Sequence, residues 1–79
     1  MYYVYILECA DSTLYSGITT DLKRRVVEHN TSPLGAKYTR GRRPVKLVYS
    51  NEYETRSEAT REEIRLKKLT KEEKKALFA

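Results

Sequence analysis

The alternation of apolar and polar residues along the chain predicts three β-strands. Residues 2–8 carry aromatic and β-branched side chains on both faces, which is typical of a central strand. Turn-forming residues 9–12 separate this strand from a second, residues 13–18, so we expect the two to form a hairpin. Residues 45–53 alternate and predict a half-buried third strand. Its inner face is expected to carry Val45, Leu47, Tyr49 and Tyr53.

Helical spacing and capping residues predict three helices and one short helical turn. The first helix starts at residues 20–21, which supply a cap and an acidic side chain, and ends near Asn30. Residues 35–39, framed by loop-forming glycines and prolines, are a candidate for the short helical turn. Capping boxes at residues 55–58 and 70–73 predict a longer helix and a last short one. The longer helix is expected to bury Ala59, Leu66 and Leu69, with Ile64 beside them.

The order of these elements, β-β-α-loop-β-α-α, predicts the α+β class, with a three-stranded antiparallel sheet flanked by helices. With 79 residues, we expect a single domain over residues 1–79, with one core and one site. The longest apolar run, residues 2–7, is too short to cross a bilayer, and no signal peptide is visible. The one cysteine, Cys9, excludes an internal disulfide. We therefore expect a cytoplasmic protein without membrane contact, as a monomer or weak dimer.

The positive charge of the chain is concentrated in one segment. The formal net charge is +5, and no acidic residue lies between Glu28 and Glu52. This basic segment contains Lys37, Arg40, Arg42, Arg43 and Lys46. The rest of the chain carries equal numbers of acidic and basic residues. A localised basic patch is typical of a surface that binds a phosphate backbone, although a solvated surface run gives the same pattern.

The residue types that share a face with core positions limit the chemistry of a site. The pattern supports neither paired carboxylates, nor a Ser-His-Asp arrangement, nor a glycine-rich phosphate loop. The polar residues on core-facing sides are Tyr3, Tyr5, Tyr15, Arg25, His29 and either Glu62 or Glu63. Helical periodicity does not decide between the two glutamates.

Four short motifs, in order, resemble those of the GIY-YIG nuclease family. The tripeptides at 3–5 and 15–17 resemble its paired signature, and residues 21–29 resemble its first helix with a conserved arginine. The spacing of Ala59, Glu63 and Lys67 resembles the helix that carries the family's metal-binding glutamate. Residues 35–39 are similar to the small, stand-alone bacterial branch. The resemblance extends over residues 3–75.

The resemblance implies a fold and an activity. The fold is a three-stranded antiparallel sheet flanked by helices, and the activity is cleavage of DNA phosphodiester bonds with one Mg²⁺ or Mn²⁺, with repair or recombination as expected roles. Matching positions assign the role of general base or water activator to Tyr5, positioning of water or phosphate to Tyr15 and close backbone approach to Gly17, and they leave open which of the two tyrosines is the base. They assign transition-state stabilisation to Arg25, a place near the scissile phosphate to His29 and the metal to Glu63.

Two alternatives to an enzyme stay open. The same surface can bind branched or single-stranded nucleic acid without cutting it, or the chain can be a subunit that acts only with a protein partner. Nucleic-acid contacts are expected from Gly17, Lys37, Arg40, Arg42, Arg43 and Lys67. Individual candidates also have purely structural explanations: His29 can be a cation at its helix terminus, and Glu63 can form a surface ion pair with Lys67.

Overall fold

The computed structural model describes residues 1–32 and 34–78, and it has the predicted α+β architecture. Strands β1 (Tyr2–Glu8), β2 (Leu14–Thr19) and β3 (Lys46–Tyr53) form one antiparallel sheet in the order β2-β1-β3. The helices are α1 (Leu22–Thr31), α2 (Lys37–Arg40), α3 (Arg56–Lys67) and α4 (Lys71–Lys75). The predictions of a central first strand and of a hairpin to the second are therefore confirmed.

The two faces of β1 enter two separate apolar clusters. On one face, Val4 and Ile6 pack with Ala59 and Leu66 of α3. On the opposite face, a second cluster contains Tyr5, Leu7, Cys9 and Val45, with Tyr15, Leu22 and Val26 packed against it. Because successive side chains of a strand point to opposite sides, the hydroxyl of Tyr5 is carried to the α1 side of the sheet.

The predicted alternation of the third strand is wrong in its first half. The β1–β3 register pairs Ile6 with Tyr49 but Leu7 with Leu47, so a bulge occurs at Val48. Because of this extra residue, side chains before the bulge point to the opposite face of the sheet from the one that an uninterrupted alternation would give. Leu47, expected on the inner face, is therefore 40% exposed, while Val48 packs against the core with Tyr49.

The helix ends follow the predicted capping residues. Asp21 accepts a hydrogen bond from the backbone N–H of Arg24 at the start of α1, and Thr55 and Thr70 form complete capping boxes at α3 and α4. Within α3, Ala59 and Leu66 are buried as predicted, whereas Ile64 is exposed.

No helix within residues 1–32 and 34–78 combines the length and apolarity that spanning a bilayer would require.

Candidate active site

A pocket of about 510 Å³ opens beside the hairpin, between α1 and α3. Five of the predicted site residues line this pocket: Tyr5, Tyr15, Gly17, Arg25 and Glu63. They come from β1, β2, α1 and α3, so only the folded chain brings them together. The predicted residues therefore divide into a group in the pocket and a second group around it.

The absence of a side chain at Gly17 leaves room for the hydroxyl of Tyr5. The β1–β2 register places the two residues directly opposite each other. A Cβ atom on residue 17 would lie 2.5 Å from the hydroxyl oxygen of Tyr5 and 2.6 Å from its Cζ. No side chain fits at that distance, so glycine is required if the Tyr5 ring is to lie across β2. The predicted close approach at Gly17 is thus made by a side chain of the protein itself.

His29 lies fully buried behind Tyr5 and links it to α2. The Tyr5 hydroxyl is 2.9 Å from Nε2 of His29, and Nδ1 of His29 is 2.8 Å from Oγ1 of Thr39. Thr39 donates its own hydroxyl proton to the carbonyl oxygen of Ala36 at 2.9 Å. It must therefore accept a hydrogen bond from Nδ1 of His29, which leaves Nε2 of a neutral imidazole to accept from Tyr5.

Burial and the positive charge of Arg25 determine the protonation states of Tyr5 and His29. Burial, together with the nearby positive charge of Arg25, lowers the pKa of His29 to about 4. His29 is therefore neutral near pH 7 and is not the helix-terminal cation of the structural alternative. Burial also raises the pKa of Tyr5, against the opposing influence of Arg25. Before substrate binds, Tyr5 is a neutral phenol that donates to a neutral imidazole.

Protonation of His29 should couple stability to pH. As the pH falls through about 6.5, the unfolded chain takes up a proton at His29, whereas the folded chain does so only near pH 4. The stabilisation by neutral His29 is thus complete above about pH 6.5. As the pH falls from there to about 4, the free energy of unfolding decreases by about 2–3 kcal/mol. His29→Gln keeps an acceptor for Tyr5 and a donor for Thr39 but does not titrate.

Urea unfolding of both proteins at about pH 7 and pH 4 checks this expectation. We expect the wild type to lose more unfolding free energy than His29→Gln across this interval, since carboxyl groups titrate equally in both. An equal loss in the two proteins would contradict a neutral, buried His29.

Arg25 is held at the pocket wall by its own helix and by the following loop. Its Nη1 donates to Oε1 of Glu28 at 3.1 Å and to the carbonyl oxygen of Leu34 at 2.8 Å. The side chain is about one quarter exposed. These contacts fix the guanidinium beside Tyr5 while the side chain lines the pocket, so a planar cation is available to an anionic ligand.

The structure places Glu63, and not Glu62, in the pocket wall. Glu63 forms an ion pair with Lys67 at 3.4 Å, one helical turn further along α3. Glu62 is instead held by Arg65, with Nη2 of the arginine 2.8 Å from Oε2, and this contact lowers the pKa of Glu62. The pairing of Glu63 and Lys67 is the surface contact expected as an alternative, and it leaves the second carboxylate oxygen of Glu63 unpaired within the described residues.

The donor set of the pocket fits a hard divalent cation that binds few protein groups. Within residues 1–32 and 34–78, no group of three or more His, Cys, Asp or Glu side chains can hold a metal. Mg²⁺ is commonly bound by one or two carboxylates, with waters and substrate phosphates completing the shell. A single carboxylate at Glu63 meets that requirement.

Two polar residues of α3 that line the pocket were missed by the sequence interpretation. Arg56 and Thr60 line the same wall as Glu63. They precede Glu63 by seven and three residues, so all three lie on one face of α3. This spacing was visible in the sequence and would have identified them once Glu63 was chosen.

The arginines of the basic segment have different surroundings. Arg43 donates from Nε to the carbonyl oxygen of His29 at 2.6 Å and from Nη2 to that of Ser32 at 2.7 Å, which caps the end of α1. Arg42 pairs with Asp11 at 3.1 Å. Lys37 and Arg40 are exposed on α2. The structure therefore brings Lys37, Arg40 and Arg42 to the surface, while Arg43 holds the fold together.

Comparison with known proteins gives consistent results for sequence and fold. The family model of the GIY-YIG catalytic domain matches residues 1–76. A UPF0213 protein of Halobacterium salinarum is 53% identical over 78 residues, covering 99% of this chain and all of that protein. A UPF0213 protein of Clostridium perfringens is 51% identical over 79 residues, covering 100% of this chain and 84% of that protein. Similar proteins thus occur in archaea as well as in bacteria.

Two solved structures share the fold. The solution NMR structure of a UPF0213 protein of Bacillus halodurans has 47% sequence identity and a TM-score of 0.61, and the match covers 98% of this chain and 82% of that one. The solution NMR structure of a protein from E. faecalis also has 47% identity, with a TM-score of 0.64 and coverage of 96% and 81%.

Proposed function

This chain belongs to the GIY-YIG family of nucleases, and on that premise we propose that it is a divalent-metal-dependent endonuclease that hydrolyses DNA phosphodiester bonds. The observation that carries the proposal is the meeting of Tyr5, Arg25 and Glu63 in one pocket. A proton-transfer group, a planar cation and a metal-binding carboxylate can together support phosphodiester hydrolysis.

Two arginines give the pocket its affinity for a phosphate backbone. Arg25 presents a planar fork that matches phosphate oxygens, and its contacts to Glu28 and Leu34 hold it in place before substrate arrives. Arg56 lies about 10 Å from Glu63 along the axis of α3. A stacked strand advances only about 3.4 Å per nucleotide, so Arg56 contacts a different phosphate from the scissile one.

Glu63 is the residue that would hold Mg²⁺ or Mn²⁺. When bound, such an ion polarises a phosphoryl oxygen and lowers the pKa of water, which makes the nucleophile available at neutral pH. Lys67 pairs with the carboxylate of Glu63 and would have to release it for the ion to be held there. Lys67 is more than half exposed and can move to a neighbouring phosphate when the ion binds.

Tyr5 and His29 form a path for the proton of the attacking water. The hydroxyl oxygen of Tyr5 accepts a proton from the water as Tyr5 passes its own proton to Nε2 of His29, 2.9 Å away. The water oxygen then forms the new bond to phosphorus while the bond from phosphorus to the leaving sugar oxygen breaks, and that oxygen takes up a proton from solvent. Thr39 accepts from the opposite nitrogen and keeps the imidazole in the tautomer that can receive this proton.

Substrate binding favours this proton transfer. The positive charge of Arg25 is, after burial, the main cause of the low pKa of His29. A bound phosphodiester neutralises that charge and brings a negative charge of its own, so the basicity of His29 rises when the substrate is in place. Proton transfer to His29 is therefore more favourable when phosphate occupies the site.

The proposal predicts DNA cleavage that depends on a divalent ion. Plasmid, single-stranded and branched DNA are incubated with the protein in Mg²⁺, in Mn²⁺ or in EDTA. We expect strand breaks with either ion and none in EDTA. DNA retention without cleavage in any ion would favour the alternative of a non-catalytic binding module.

A further inference from the structure

A stack of flat side chains leads from the pocket to the protein surface. The Tyr15 ring, which lines the pocket, packs against the Tyr38 ring with a centroid separation of 5.8 Å and an interplanar angle of 26°. The guanidinium carbon of Arg42 lies 4.0 Å from the centroid of Tyr38. The Tyr38 side chain is well exposed for an aromatic residue, at 38%. Tyr15, Tyr38 and Arg42 are called the stack below.

Hydrogen bonds hold the outer end of the stack in position. Nε of Arg42 donates to Oδ2 of Asp11 at 3.1 Å, and its Nη1 donates to the carbonyl oxygen of Tyr38 at 2.8 Å. The guanidinium is thereby fixed over the ring and does not sample solvent freely. Its planar surface is presented without a further loss of side-chain entropy on binding.

We propose that the outer face of the Arg42 guanidinium, which is supported by the Tyr38 ring, binds an unpaired nucleobase of the strand that enters the pocket, so that the substrate is DNA that is single-stranded beside the point of cleavage. This inference rests on the proposed function and names its substrate class. Bases stack on aromatic rings and on arginine planes when they are unpaired. In a duplex, the neighbouring base pairs already cover both faces of each base, so a duplex offers the stack nothing to bind.

The surroundings of the stack favour the same ligand. Tyr38 is flanked along α2 by exposed Lys37, and the carboxylate that contacts the stack, that of Asp11, is paired with Arg42. Tyr15 touches both Tyr38 and His29, the latter at a ring-centroid distance of 5.3 Å. The stack therefore runs from the pocket wall at Tyr15 to the surface at Arg42, and a single strand bound there continues toward the pocket.

Binding measured in EDTA separates this inference from cleavage. Fluorescence anisotropy follows a labelled single strand of about 12 nucleotides and the duplex of the same sequence. Tyr38→Leu removes the ring that supports the Arg42 guanidinium, and it should weaken single-strand binding about 10-fold and leave duplex binding unchanged. Tyr38→Phe keeps the plane and should bind as the wild type does. Lys37→Ala should weaken both ligands equally, because it removes only a phosphate contact.

A second experiment identifies which base of the strand contacts the stack. An abasic site is moved along the single strand, and its effect is measured with the wild type and with Tyr38→Leu. We expect one position at which base removal weakens wild-type binding about 10-fold but leaves the variant unaffected, since the guanidinium plane that this base stacks on has already lost its support. Equal effects in both proteins at every position would overturn the inference.

The two proposals fail in different ways. Metal-dependent cleavage with no preference for single strands, and no effect of Tyr38→Leu on binding, would overturn the base-binding inference and leave the nuclease proposal standing. Absence of cleavage on every DNA, with the position-specific loss in Tyr38→Leu intact, would support base binding and overturn the nuclease proposal.

Discussion

Replacement of Glu63 by glutamine should lower metal-dependent DNA cleavage by about 10³-fold or more. The amide has the shape of the carboxylate but lacks the charge that holds a divalent cation. Among the residues described here, no cluster of further metal-binding side chains can replace it. Initial cleavage rates over a Mg²⁺ titration measure the effect, and extra Mg²⁺ should restore little of the lost rate.

The adjacent glutamate provides a matched control. Glu62→Gln makes the same chemical change one position earlier in α3, at a carboxylate that pairs with Arg65 outside the pocket. We expect its cleavage rate to stay within about twofold of the wild type. Both variants disrupt only an ion pair near the surface, which costs up to about 1 kcal/mol, so both should remain folded. Undiminished cleavage by Glu63→Gln would remove Glu63 from the metal site.

The choice between Glu62 and Glu63 shows where sequence periodicity stops being informative. Neighbouring positions on a helix differ by about 100° in direction, and both glutamates lie at the edge of the stripe formed by Ala59 and Leu66. Which of them enters the pocket depends on how α3 rotates against β1 and β2. That rotation is fixed by packing across the sheet, which a helical pattern does not contain.

The sheet was more predictable than the loop beside the site. A strand with two apolar faces can only be central, so the position of β1 followed from its composition. The segment around α2 carried only turn signals and charge. Nothing local in it shows that Thr39 is buried against His29, or that Tyr38 stacks on Tyr15. These contacts link residues 10 or more positions apart and exist only after α2 packs against α1.

Charge alone also could not separate the arginines of the basic segment. Arg43 resembles its neighbours in sequence, yet its guanidinium binds the carbonyl groups that end α1. A guanidinium serves a phosphate and a helix C-terminus equally well, because both present oxygen acceptors. Because Arg43 caps α1, the sequence alone overestimates by one the number of arginines that are available to a phosphate backbone.

Replacement of Tyr5 by phenylalanine should reduce the cleavage rate by about 10²–10⁴-fold, the usual contribution of general acid–base catalysis. The ring is retained and continues to fill its cluster with Leu7 and Val45, but the group that receives the proton of water is gone. DNA affinity, measured in EDTA, should stay within about twofold. Tyr53→Phe, a change of the same kind on the opposite face of the sheet, should leave the rate unchanged.

The hydrogen bond between Tyr5 and His29 allows a sharper test than the replacement of either residue alone. If the two act as one proton path, His29→Gln should lower the rate by a similar factor, because its amide oxygen accepts a hydrogen bond but is a poor base. The double variant should then be hardly slower than either single variant, since each already breaks the path. Multiplication of the two losses would mean that Tyr5 and His29 act independently, and the proton of water would then have to leave by another route.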